Sequence, residues 1–221
     1  MAAHLETLID DLGADLTPVH RLASPLIRAA GWVAVVAAIG IAFASVADLP
    51  AVLHRLRMVP DMWLAVLGST MTMVLAAVAA FEMSMPDRKA TWALLPLPGV
   101  VLWVAATGMG CLRSWIIPDV PEAPMAEAPH CFAFIVGLSI PLSIVMIIMV
   151  RRACPLRPNL TAAIGGLAVA AGAATLLNFF HDFDAGATDI AVHVVAIALV
   201  IGLNRLLGGR LFAGRGLAPR A

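Results

Sequence analysis

Residues 160–180 read LTAAIGGLAVAAGAATLLNFF, without one charged side chain. Wound as a helix at 1.5 Å per residue, a stretch of that length crosses about 30 Å of hydrocarbon. Ala162 and Gly166, and again Ala168 and Gly172, stand four residues apart. That spacing puts small side chains on one helix face, where backbones approach closely inside a membrane. Five more apolar blocks are long enough to cross, at 27–47, 62–83, 92–110, 131–150 and 190–207. Backbone groups in lipid must be paired within the segment, so each block reads as a helix. The short alternating segments of a β-barrel are absent from the sequence.

Composition agrees. Of 221 residues, 62% are hydrophobic and 13% charged, about half the charged share of an ordinary globular chain. The expectation is an all-α fold: an integral membrane six-helix bundle preceded by a short amphipathic helix. The organisation divides as a cytoplasmic segment at 1–24, a six-span domain at 25–210 and a tail at 211–221. The first 20 residues carry Glu6, Asp10, Asp11 and Asp15 but no early basic region, so no cleavable signal is expected. Net charge is zero, and its distribution is what informs. Eleven of the 14 basic residues fall on one side of the six blocks; Arg55, Arg57 and Arg113 fall on the other. The positive-inside rule then places both termini in the cytoplasm and leaves 48–61, 111–130 and 181–189 as outward loops. The tryptophans are expected near the interfaces, Pro96, Pro98 and Pro141 as kinks, Glu82 as a snorkelling side chain, and Asn178 and Asn204 as joints between helices.

Residues 4–19 form the one substantial polar piece outside the blocks. Leu5, Leu8, Ile9, Leu12, Leu16 and Val19 recur at helical spacing, with Glu6, Asp10, Asp11 and Asp15 supplying an acidic remainder. Pro18 disfavours helix at Thr17. A helix lying on the bilayer usually carries Lys and Arg, so four carboxylates argue against that location. Two readings stay open: a helix packed on the chain's own basic loops, such as Arg151 and Arg152, or one docking a soluble partner with an apolar groove and basic rim.

Cys111 closes the third block and Cys131 opens the fourth, so both are expected at the outer surface. Helix ends joined by one loop can bring Cα atoms within the roughly 4.4–6.8 Å that a disulfide needs, and an oxidising compartment permits one. A structural staple and a redox or soft-metal switch are both compatible with the pair. His130, His181 and His193 lie near the same end and could add donors for a transient soft metal ion, with no resident cofactor expected. The chain has no H-E-x-x-H, G-x-S-x-G, C-x-x-C or P-loop, and no midspan carboxylate array. Catalysis therefore lacks a residue constellation. A small membrane transporter or metal-efflux protein is the alternative class, followed by a membrane redox enzyme and a structural scaffold.

Several motifs in order carry a family likeness: LIDDLGADLTPV at 8–19, ALLPLP at 93–98, GMGCLRSW at 108–115, Cys131, PLRP at 155–158, FHD at 180–182 and His193. In these the chain resembles the negative regulators of sigma F, six-span bacterial anti-sigma factors, over nearly its whole length. The resemblance implies a protein of the bacterial inner membrane whose N-terminal segment holds an extracytoplasmic-function sigma factor away from RNA polymerase, without touching nucleic acid itself. It assigns docking to Asp11, Leu12, Asp15, Leu16, Pro18 and Val19, to which the apolar stripe adds Leu5 and Leu8. It links Cys111 and Cys131 to sensing of heavy-metal or oxidative stress. Gly13 departs from a good docking helix, because glycine costs a helix interior up to about 1 kcal/mol.

Overall fold

The computed structural model describes residues 2–14, 21–58, 60–116, 128–153, 155–178 and 187–213. Among them there is no strand. The helices are α1 (Ala2–Ala14), α2 (Pro25–Ala44), α3 (Leu49–Met58), α4 (Pro60–Met83), a short 3-10 helix (Ala90–Leu94), α5 (Leu97–Ile116), α6 (Ala128–Arg151), α7 (Pro158–Leu177) and α8 (Ala187–Ala213). Six spans are long and apolar enough to cross a membrane: α2, α4, the 3-10 helix with α5, α6, α7 and α8. The chain thus has the architecture of a multi-pass membrane protein.

Helix α7 is the centre. Of its apolar span 72% is buried, against 17% for α8, and it packs on α8, α4, α6 and α2. Its small residues make this possible. A methyl group added at Gly166 would stand 3.1 Å from the Ile201 Cα, and one at Gly172 would meet Met73 and Trp32. Large side chains instead face outward: Ile27, Ile41, Val101, Val104, Ile140 and Leu206 are all exposed. In water such a surface would exceed any patch a soluble monomer tolerates; in hydrocarbon it costs nothing.

A second close approach joins α4 to α5. Extra methyls at Gly68 and Gly99 would lie 2.6 Å from the backbone nitrogens of Trp103 and Thr72 respectively. The two glycines thus oppose each other's neighbours one helical turn apart, and Thr72 turns its hydroxyl back to the Gly68 carbonyl at 2.8 Å. Polar side chains add bonds between helices. Thr175 donates to Ser69 Oγ at 2.9 Å, and Asn204 Nδ2 to Ser143 Oγ at 2.9 Å. Such bonds are worth about 0.6 kcal/mol each in a membrane interior.

Four expectations change. The third span is not one helix: a 3-10 turn precedes α5, and Pro96 and Pro98 open α5 instead of kinking it, since proline's missing N–H is harmless in a first turn. Pro141 does sit inside α6. The stretch 48–61 contains the helix α3. Trp32 is fully buried, its Nε1 donating to the Leu142 carbonyl at 3.4 Å, because the small face of α7 leaves room for an indole. Asn178 donates to the carbonyls of Ala174 and Thr175 in its own helix, as a C-terminal cap instead of a joint; Asn204 is a joint as expected.

The Gly68 contact gives a sharp expectation. Gly68→Ala should lower the stability of the detergent-purified protein by about 1–3 kcal/mol, because the methyl meets backbone. Gly108→Ala, with open space around it, should be neutral or gain up to about 1 kcal/mol in helix propensity. Equal unfolding midpoints for the two variants would show that α4 and α5 do not touch in this way.

Candidate functional site

Helix α1 displays the stripe read from the sequence. At 100° per residue, Leu5, Leu8, Ile9 and Leu12 fall on one face, and Glu6, Asp10 and Asp11 fall outside it. All four apolar side chains are exposed, Leu12 by 65%. The alternative in which α1 lies on the chain's own basic loops is therefore not the arrangement found. Each large apolar side chain would contribute about 1.5–3 kcal/mol on full burial, so a stripe of four left open is a surface without its counterpart. A helix this short is marginal alone in water, and a partner groove would stabilise it. Asp15, Leu16, Pro18 and Val19 lie outside the described residues.

The chain leads from α1 through Arg21 to Ser24, whose hydroxyl accepts from the Ile27 N–H at 3.4 Å and caps α2, with Pro25 in the first turn. Four residues on comes the best-held side chain of this end. Arg28 is 7% exposed. Its Nη1 donates to Ser84 Oγ at 3.2 Å, its Nη2 donates to the Met149 carbonyl, and its guanidinium stands 4.9 Å from the Phe81 ring centre. It therefore ties the base of α2 to the ends of both α4 and α6. Beside it, Glu82 is buried instead of snorkelling, because Arg88 reaches it: Nε lies 2.9 Å from Oε2, a close ion pair without an aligned hydrogen bond. Arg157 Nη1 donates to the Arg88 carbonyl at 3.2 Å. One end of the bundle is thus a basic collar, and α1 hangs from it. Sequence reading counted Arg28 only as a charge. Its signal was a lone arginine at the second position of the apolar block 27–47, where a charge needs partners.

Of the two cysteines, the side chain of Cys131 alone is described. Cys131, in the first turn of α6, is 7% exposed, packed with Ile135, Ala173, Leu177 and Ala196. It is not at the surface, because Ala173 and Ala196 leave space for it between the helices. Helix α5 continues to Ile116, past Cys111, whose side chain lies outside the described part. His130 is exposed and His193 half-buried; His181 lies outside the described residues. Among the described residues no three His, Cys, Asp or Glu side chains gather as metal donors; the Cys111 side chain and His181, two of the five expected donors, fall outside them.

The collar predicts its own test. Arg28→Ala removes two hydrogen bonds from a charged donor, each worth about 1.5–3 kcal/mol, so the unfolding midpoint in detergent should fall. Arg28→Lys, which can hold one acceptor but not the fork of two, should recover part of the loss. An unchanged midpoint for Arg28→Ala would rule out the clamp.

Comparison with known proteins gives one result. The family described as "Negative regulator of sigma F" matches residues 12–213. No curated protein and no solved structure matches. The match begins within α1, at Leu12, and runs through all six spans to the end of α8. A helix with an open apolar stripe, hung from a membrane bundle, suits a description in which regulation and not catalysis is named. The chain belongs to the negative regulator of sigma F family.

Proposed function

We propose that the protein is a membrane-bound anti-sigma factor that captures an extracytoplasmic-function sigma factor on α1. The observation that supports this best is the exposed stripe of Leu5, Leu8, Ile9 and Leu12, tethered at the basic end of a multi-pass bundle in a chain of this family. The apolar stripe fills a groove on the sigma factor, and Asp11 meets basic residues that would otherwise face polymerase or DNA. The family likeness adds Asp15, Leu16, Pro18 and Val19 to the docking set. The bundle lies in the bacterial inner membrane with both termini in the cytoplasm, where the positive-inside rule puts the collar. Release follows a metal or oxidative signal received near Cys111 and Cys131.

Two experiments test this. The first is a pull-down from native membranes, comparing the intact chain with a Leu8→Lys, Leu12→Lys double substitution. The intact chain should bring down a small sigma factor, and the variant at least about tenfold less, since two buried leucines are replaced by charges. A sigma factor absent from both would defeat the anti-sigma reading and favour transport, which deletion of residues 1–20 should leave intact. The second concerns the signal. Cys131→Ser should blunt induction of the sigma regulon by soft metals or oxidants, and undiminished induction would remove the cysteines from the mechanism.

A further inference from the structure

Helix α3 has no role in the reading above, yet it is the second amphipathic helix outside the bundle. Asp48 caps it: the carboxylate Oδ1 accepts from the Ala51 N–H at 3.2 Å. Leu49, Val52, Leu53 and Leu56 follow at spacings that make one stripe. Val52 is buried and Leu56 half-buried where α3 packs along α4, but Leu53 is 52% exposed and Leu49 is also exposed. The polar remainder is His54, Arg55 and Arg57, with His54 and Arg57 exposed. Between Leu49 and Pro60 there is no carboxylate, and that of Asp48 is engaged at the cap.

The tethers fix where this helix can be. Residues 45–48 join it to the end of α2, and residue 59 alone joins it to α4. Four residues reach at most about 14 Å, so α3 stays at the level where two membrane spans end. At that depth, leucines of the stripe meet acyl chains, and Arg55 and Arg57, which flank it on either side at 100° per residue, meet phosphates. The same placement accounts for an anomaly of charge. Of the three basic residues at this end of the bundle, two are Arg55 and Arg57.

We propose that α3 is an interfacial anchor whose flanking arginines bind the headgroup phosphates of anionic phospholipid, with Leu49 and Leu53 inserted beneath them. The contrast with α1 supports the assignment. Both helices carry an open leucine stripe, but α1 is acidic and α3 basic, and only a basic helix is drawn to an anionic lipid surface.

The test uses the full chain in nanodiscs of phosphatidylcholine, alone or mixed with phosphatidylglycerol, followed by amide hydrogen exchange of residues 49–58. Phosphatidylglycerol should slow exchange there about tenfold, with the core of α7 unchanged. An Arg55→Gln, Arg57→Gln variant should lose that slowing while keeping its behaviour in phosphatidylcholine. Inorganic phosphate added to phosphatidylcholine discs should not reproduce it. Equal exchange in the two lipids, or slowing that survives the double substitution, would overturn the proposal and leave α3 held by α4 alone. The reading of α1 as a sigma-docking helix would be untouched by either result.

Discussion

In hydrocarbon, a leucine gains nothing by turning inward, so a bundle must be held by direct contact between helices. Helix α7 meets this requirement. Gly166 admits α8 to its backbone, Gly172 admits Met73 and Trp32, and Ala162 sits against Gly208. The glycine contacts of α4 with α5 repeat the device one layer away. Helix α2 is less well placed, with 22% of its apolar span buried. At its base a polar clamp does what packing does elsewhere. Arg28, bonded to Ser84 and the Met149 carbonyl over Phe81, holds the first span against two others.

The two helices outside the bundle show how charge can select a partner once hydrophobicity is equal. Helices α1 and α3 each carry leucines at i, i+3 or i+4, and i+7, and each leaves part of that stripe exposed. A neutral pair would both settle on lipid. On the two proposals, Glu6, Asp10 and Asp11 disfavour an anionic surface for α1 and favour a basic groove, whereas Arg55 and Arg57 do the reverse for α3. Length matters too. Ten residues separate α1 from α2 in sequence, against four between α2 and α3, which suits the proposal of a reaching acidic helix and an anchored basic one.

Much of this was legible in the sequence. Long uncharged blocks have one stable form in lipid, so all six spans were found, as were the small face of α7, the Asn204 joint and the leucine face of α1. The features missed share one property: their partners lie far along the chain. Burial of Arg28 depends on residues 56 and 121 positions away; its lone charge within 27–47 says that partners are needed but not which. Trp32 looked interfacial because local hydropathy cannot show the space that Gly172 leaves. Gly68 and Gly99 matter only as opposed pairs on two helices. Helix α3 is a different case. It is too short and too basic to register as a span, yet its period of Leu49, Val52, Leu53 and Leu56 was there to be read.

Burial changes what chemistry at the cysteines can accomplish. A thiol at the surface can be oxidised or metallated without disturbing its helix. Cys131 is wedged among Ile135, Ala173, Leu177 and Ala196, in an interior packed too densely to accept an added atom freely. Any group added there must part α6 from α7 or α8. Helix α6 runs unbroken from that turn to Met149, whose carbonyl receives Arg28. A displacement of α6 at Cys131 would therefore bear, through one helix, on the carbonyl that receives Arg28. The proposed sensing end and the Arg28 clamp thus share one helix, with Pro141 between them as the point where α6 can bend.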